Sequence, residues 1–361
     1  MLDKILLYFS IIYILCFLLM CIISQFIIIK FSNKLFNILC SIFIMACCIV
    51  AFYSTDKSEG ESGWDLNRYY ADINAMRGKD IKFAMHNGMY KNTILTNLLF
   101  FFVSRLNNNA WLQVFSTLIS GCILFYLISS INSSDTYKQS TILFYVLLYF
   151  GLIGFATTLL GVRWVMAISF CALGRQLGRN KKFGIINEFI CCAIALCIHY
   201  GVIFYLFVRL ISVFKNKVIT LFLLFSMVII LALGKLAVNI QYFNALYNKF
   251  LEYIKISCPD IRVFIVEIVV LFVYCIGEYQ ISNKKTNLDG FPRNMLAATI
   301  GIIAVYHLFS RMLGLYTFTC MDDVMEIVEN NKIIRFILAV VIIGLLSYQL
   351  VFMKTYWRFT I

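Results

Sequence analysis

Long apolar runs separated by short polar turns recur from one end of the chain to the other. Runs of about 20 apolar residues are long enough to cross a bilayer as helices, and they are far longer than the strands of a membrane barrel. The pattern predicts an all-α, polytopic integral membrane protein that forms a single domain over residues 1–361. The first run has no short hydrophobic region followed by a cleavage site, so we predict that it is retained as a span.

About twelve transmembrane helices follow from the positions of these runs. The run at 184–214 has basic residues at both ends, so we predict a hairpin whose apex lies at Ile198-His199-Tyr200-Gly201. The other predicted spans are 5–29, 35–53, 111–131, 139–157, 163–178, 218–236, 263–281, 295–309, 312–329 and 336–353.

Three segments between the spans have a different character. The polar stretch 54–91 is predicted to be the first extracytoplasmic loop, and the amphipathic stretch 237–262 the second. The apolar run 92–104 is too short for a core of about 30 Å, so we predict a re-entrant or interfacial helix. Short basic turns place both termini outside, but basic residues divide almost evenly between the two sides, which leaves the inverted orientation open.

Composition narrows the classes of function. With 62% hydrophobic and 14% charged residues, the chain does not resemble a soluble protein. Its net charge of +13 fits anionic headgroups or an anionic membrane-borne substrate, and no aromatic and basic pattern points to nucleic acid. The longest predicted cytoplasmic loop, 282–294, is too short for a nucleotide-binding domain, and no GxxxxGK phosphate loop is present. We therefore expect no cofactor and no ATP-driven activity.

The chemistry-bearing residues come from four separate parts of the sequence. The predicted topology brings to one membrane face the Asp65 to Tyr70 cluster, Arg163, His199, and His307 with Arg311. His307 and Arg311 lie four residues apart and so share one helical face. Guanidinium groups pair bidentately with phosphate oxygens without a metal, so two arginines and a histidine at this face predict a diphosphate clamp.

Each of these residues also has a purely structural explanation. The arginines can extend to the interface or pair with an acidic side chain. His199 can bond to backbone carbonyls, and His307 can be a satisfied histidine of the core. Asp65 can cap the helix that follows it, and Tyr69 and Tyr70 can belong to an interfacial aromatic belt.

Several short motifs, in this order, resemble the EpsG-type branch of the Wzy polysaccharide polymerases. The matching elements are Asp65-Leu66-Asn67-Arg68-Tyr69, Arg163 with Ala167, Ile198-His199-Tyr200-Gly201, and Arg311 with Tyr316 five residues later. Two positions depart from the family pattern: Leu160 stands where an Asn is common, and Trp164 where a Gln is often found.

The resemblance implies a metal-independent glycosyltransferase of the glycosyltransferase C-like architecture. Such an enzyme polymerises polyprenyl-diphosphate-linked oligosaccharide repeat units at the outer face of the bacterial cytoplasmic membrane. The substrate partners are a lipid-linked glycan donor and acceptor, and a chain-length regulator is left open as a further partner.

Roles for the candidate residues follow as hypotheses. Arg163 and Arg311 hold the donor diphosphate and stabilise it as it leaves. His199 is the first candidate for the general base, and Asp65 is the second. The residues assigned to sugar binding are Arg68, Tyr69, Tyr70, His307 and Tyr316.

The sequence is compatible with two other functions. One is a flippase or transporter for an anionic lipid-linked glycan, although the sequence shows no inverted repeat and no paired interrupted helices. The other is a ligase or related transferase that uses the same donor and a different acceptor.

Overall fold

The computed structural model describes most of the chain as helix. The described residues are 2–27, 30–56, 65–87, 93–133, 136–154, 161–179, 184–214, 217–236, 241–255, 260–284, 290–352 and 357–359. Apart from the antiparallel pair β1 (Ser54–Asp56) and β2 (Trp357–Phe359), they form helices and turns. The chain divides into two compact units, Met1–Ile203 with Leu346–Ile361, and Phe204–Leu345.

The first unit is a set of helices in which α8 packs against both α9 and α6. Its helices are α1 (Leu2–Ile23), α2 (Asn33–Phe52), α3 (Asp65–Met76), α4 (Ile81–Asn87), α5 (Ile94–Ser104), α6 (Trp111–Ser133), α7 (Gln139–Tyr149), α8 (Val162–Gly178) and α9 (Gly184–Ile198). A π-helical turn, Phe150–Gly154, continues α7, and a 3₁₀ turn, Tyr200–Val202, follows α9.

Two predicted features of this unit are present. The predicted short apolar run 92–104 contains the 11-residue helix α5, and its re-entrant or interfacial position stays a prediction. The long run 184–214 is interrupted at His199, where we expected its apex. The polar stretch 54–91, predicted as the first extracytoplasmic loop, contains α3 and α4, and its side of the membrane stays a prediction.

The remaining helices lie wholly or mainly in the second unit. They are α10 (Ile203–Ile211), α11 (Lys217–Leu224), α12 (Ser226–Leu236), α13 (Gln241–Lys255), α14 (Ile261–Lys284), α15 (Phe291–Gly301), α16 (Tyr306–Thr319), α17 (Met321–Asn330) and α18 (Lys332–Phe352). The last turns of α18 belong to the first unit. The predicted amphipathic segment 237–262 contains α13, which contacts both α12 and α16.

Three predicted continuous spans of the second unit are interrupted, and one of them, 312–329, breaks at Cys320 between α16 and α17. The other two breaks lie close together. The run 218–236 breaks between α11 and α12, and the run 295–309 breaks between α15 and α16. The two breaks pack together at Gly301, where an added Cβ would lie 2.3 Å from the carbonyl oxygen of Leu223 and 2.4 Å from Oγ of Ser226. The helices therefore end where these distant segments contact each other, and apolar composition alone does not predict that contact.

Four helices in the described part of the chain are long and apolar enough to cross a membrane. They cover Asp3–Ile23, Asn33–Phe52, Trp111–Ser133 and Lys332–Gln349. Several shorter apolar helices accompany them, among them α5 and α9. These helices are typical of a membrane protein, and the total of about twelve spans stays a prediction.

Candidate functional site

Arg163 lies at the start of α8 and is almost fully buried, with 3% of its surface exposed. Its Nε donates to the carbonyl oxygen of Ile198 at 3.2 Å, and its Nη2 donates to Oγ1 of Thr93 at 3.2 Å. Oγ1 of Thr96 donates to the same carbonyl at 2.8 Å. A cation beside the last carbonyl of α9 is favoured by the helix dipole. Three helices therefore hold the guanidinium in one orientation.

His199 directly follows that carbonyl and interrupts the helix. Its Nδ1 accepts a hydrogen bond from the backbone N–H of Gly201 at 3.0 Å. The ring stacks on Tyr200 with centroids 5.4 Å apart, and it meets the ring of Trp164 edge-on, also at 5.4 Å. Arg163 and His199 are distant in sequence, and Ile198 connects them. Its carbonyl accepts a hydrogen bond from Arg163, and His199 is the next residue along the chain. Trp164, which stands where the family often has a Gln, therefore packs against the ring of His199.

The structure divides the Asp65 to Tyr70 cluster among different environments. Asp65 begins α3, and its side chain lies outside the described part of the structure. The side chain of Arg68 is exposed. Tyr69 is 3% exposed and packs on Phe100 of α5, with ring centroids 5.3 Å apart. A buried ring of this kind stabilises the contact between α3 and α5, and its sugar-binding role stays a prediction.

Tyr70, in contrast to Tyr69, forms a hydrogen bond to α6. Its hydroxyl donates to Oε1 of Gln113, and Nε2 of Gln113 donates to the carbonyl oxygen of Ser54 at 3.0 Å. Burial raises the pKa of the Tyr70 hydroxyl, so it stays a neutral donor. The network connects α3 through α6 to Ser54 of β1, and sugar binding by Tyr70 also stays a prediction.

Helix α5 connects these parts of the first unit. It contacts α3 through Phe100, and Thr93, which precedes it, contacts Arg163. The predicted short helix is therefore a support between the first polar segment and the buried arginine. Thr93 was not among the predicted site residues, and no local signal distinguishes it from other threonines.

In the second unit, His307 and Arg311 lie on one helix, α16, and face one aromatic residue. Nη1 of Arg311 donates to the hydroxyl of Tyr253 at 3.0 Å, and the guanidinium carbon lies 5.6 Å from the centre of that ring. The ring of His307 lies 6.4 Å from the same ring. The predicted shared face is confirmed. The predicted boundary between the spans 295–309 and 312–329 is wrong, because Arg311 lies within the helix Tyr306–Thr319. Tyr253 is a site residue that the sequence did not reveal.

Tyr316 belongs to another face of the same helix. Five residues separate it from Arg311, which turns its side chain by about 140° around the axis. The ring is fully buried and packs on Tyr274, with centroids 5.2 Å apart. Among the described residues, its hydroxyl has no hydrogen-bond partner. Its assignment to sugar binding stays a prediction.

Glu267 is a buried carboxyl group that the sequence pattern does not reveal. It is 4% exposed within α14, and its Oε1 accepts a hydrogen bond from Oγ of Ser310 at 2.7 Å. Oε2 has no hydrogen-bond partner within the described ranges. A single acidic residue in an apolar run carries no signal of its own, so only the fold shows that it is enclosed.

Replacing Glu267 with glutamine is expected to leave thermal stability unchanged or to raise it by a few degrees. Glutamine keeps an acceptor for Ser310 and removes the cost of a charge in apolar surroundings. The measurement is thermal unfolding of the purified protein in detergent, with Ser310→Ala as the matched variant that removes the donor. A clear fall in the melting temperature of Glu267→Gln would show that the ionised carboxylate is stabilised.

The arginine and histidine pairs lie in different compact units. Arg163 and His199 belong to the first, and His307 and Arg311 to the second. The expectation that all four face one substrate stays a prediction. Among the residues that the structure describes, no group of three or more His, Cys, Asp or Glu side chains is placed to hold a metal ion.

Long apolar helices together with buried arginine and carboxyl groups define a membrane protein with polar sites inside its helical packing. The sequence model of the EpsG family matches residues 59–360, and the chain belongs to that family. Membership indicates a polysaccharide polymerase with a glycosyltransferase-like role. Searches of curated proteins and of solved structures each give no match.

Proposed function

We propose that this protein polymerises polyprenyl-diphosphate-linked oligosaccharide repeat units at the outer face of the bacterial cytoplasmic membrane. A hydroxyl of the acceptor glycan attacks the anomeric carbon of the donor, and the bond from that carbon to the diphosphate oxygen breaks. The polyprenyl diphosphate leaves with the bonding electrons, and a base receives the hydroxyl proton. The reaction is proposed to proceed without a metal.

The observation that carries the proposal is the fixed guanidinium of Arg163. Its two bonds to Ile198 and Thr93 orient it before any substrate arrives. A preorganised cation stabilises charge that develops on a leaving diphosphate without reorganisation at the moment of reaction. Arg163 stands in one of the matching motifs, which links the geometry to the family.

Arg311 is proposed to bind the same diphosphate. Its side chain is held by Tyr253 and accompanied by His307, which the proposal assigns to sugar binding with Arg68, Tyr69, Tyr70 and Tyr316. Asp65 and His199 are the two candidates for the base. A protein that regulates chain length remains a candidate partner.

A flippase is the second candidate function. The observation in its favour is the pair of interrupted helices that meet at Gly301 in the second unit. Many transporters build their substrate sites from discontinuous helices. The sequence alone did not show this interruption.

Reconstitution of the purified full chain in liposomes with a lipid-linked repeat unit tests these functions. Polymer on the lipid carrier supports the proposal. Relocation of unpolymerised glycan across the bilayer would favour the flippase, and transfer to a different acceptor would favour a ligase. Liposomes without protein give the background.

A further inference from the structure

The hydrogen bond between Gly201 and His199 determines which nitrogen of the neutral imidazole carries the proton. The backbone N–H of Gly201 is a donor, so Nδ1 of His199 must present a lone pair to accept from it. A neutral imidazole carries one N–H, and the proton therefore lies on Nε2. In this arrangement Nε2 is a donor and not a base.

We propose that His199 acts as a neutral hydrogen-bond donor, through Nε2–H, to a phosphate oxygen of the leaving diphosphate. This inference rests on the proposed function and changes the role of one of its residues. No proton is transferred from His199 in the reaction. The proton of the attacking hydroxyl goes to the other candidate base, Asp65.

Several contacts hold the ring in this orientation. The ring lies between Tyr200, with an interplanar angle of 17°, and Trp164, with an angle of 71°. Gly201 is required beneath it, because an added Cβ would lie 2.8 Å from both Cε1 and Nδ1 of His199. Trp164 and Gly201 are therefore positioning residues.

The connection between His199 and Arg163 through Ile198 explains why a donor is useful there. The carbonyl of Ile198 accepts from Nε of Arg163, and the next residue along the chain is His199. A cation bonded to the Ile198 carbonyl and a neutral donor on the next residue can bind one anion together. A neutral donor adds hydrogen bonding without a second positive charge beside the guanidinium.

Nitrogen NMR of the full chain in lipid, with ¹⁵N-labelled histidine, tests the tautomer directly. The protein has three histidines, so the signal of His199 is the one that disappears in His199→Gln. At neutral pH we expect a protonated Nε2 and an unprotonated Nδ1. A proton on Nδ1 would overturn the proposal whatever reaction the protein catalyses.

A kinetic comparison tests the donor role. Glutamine places an amide N–H near the position of Nε2 but cannot act as a base, whereas alanine offers neither. We expect His199→Gln to polymerise within about tenfold of the wild-type rate, and His199→Ala to lose about 10²–10³-fold. Equal loss in both variants would overturn the donor role.

The dependence of the polymerisation rate on pH distinguishes a donor role of His199 from a role as the base. The acid limb of the rate is expected to be the same in wild type and His199→Gln, because the base is another residue. A limb that disappears with the histidine would restore His199 as the base. If wild type makes no polymer, the proposed function fails, while the NMR result still reports the tautomer.

Gly201→Ala provides a matched test of the positioning. We expect it to weaken polymerisation and to change the ¹⁵N pattern of His199. The control is Gly344→Ala in α18, where an added Cβ meets nothing within 4 Å. A Gly201→Ala protein with wild-type rate and an unchanged histidine pattern would contradict the role assigned to the glycine.

Discussion

Replacing Arg163 with methionine is expected to reduce polymer formation by about 10²–10³-fold, the loss typical of removing one preorganised donor to a developing anion. Methionine fills much of the space of the aliphatic stem, and Thr96 still donates to the carbonyl of Ile198 at 2.8 Å. The end of α9 therefore keeps a partner, and the protein is expected to reach normal abundance. The measurement is polymer length and amount in cells, normalised to protein in the membrane.

Two further variants sharpen this test. Arg163→Lys keeps the charge but lacks the planar fork that reaches Ile198 and Thr93 together, so we expect an intermediate loss. Arg105→Met removes an exposed arginine of the same unit, whose guanidinium lies 4.4 Å from the ring centre of Phe101, and is expected to be silent. Wild-type chain lengths in Arg163→Met would end the diphosphate role.

Replacing Arg311 with methionine is expected to cause a loss of similar size, about 10²–10³-fold. The smaller change Tyr253→Phe removes the hydroxyl that accepts from Nη1 at 3.0 Å and keeps the ring beneath the guanidinium. A neutral hydrogen bond contributes about 0.5–1.5 kcal/mol, so the loss in Tyr253→Phe is expected to stay within about tenfold. The same reconstituted assay measures both.

The control for this pair is Arg262→Met. Arg262 lies in the same unit, is 76% exposed and pairs with Asp260 at 3.4 Å, and its loss is expected to leave polymerisation unchanged. A double variant of Arg163 and Arg311 tests whether both bind one anion. When two groups act together, removing both lowers the rate far less than the product of the two single losses. Fully multiplicative losses would indicate independent roles.

The positions of the main helices could be read from the sequence because apolar length and basic turns are local signals. The short helix α5 was expected at 92–104 and lies at Ile94–Ser104. The interruption at His199 was expected from a run too long for one span with basic residues at both ends. The shared face of His307 and Arg311 follows from helical spacing alone.

Contacts between distant segments could not be read in this way. The breaks before Ser226 and after Gly301 arise where two apolar segments pack against each other, and both segments look continuous in composition. Tyr69 and Tyr316 have the same local appearance as exposed aromatic platforms, yet their rings are buried against Phe100 and Tyr274.

By itself, the sequence determined that the chain is a helical membrane protein and that Arg163, His199 and Arg311 are its principal polar candidates. Tertiary structure decided what each of them contacts: the carbonyl of Ile198 for Arg163, the N–H of Gly201 for His199, and Tyr253 for Arg311. The physical reason is that hydropathy is a property of each segment, whereas the direction of a hydrogen bond, and with it the protonated nitrogen of a histidine, depends on the neighbour that folding supplies.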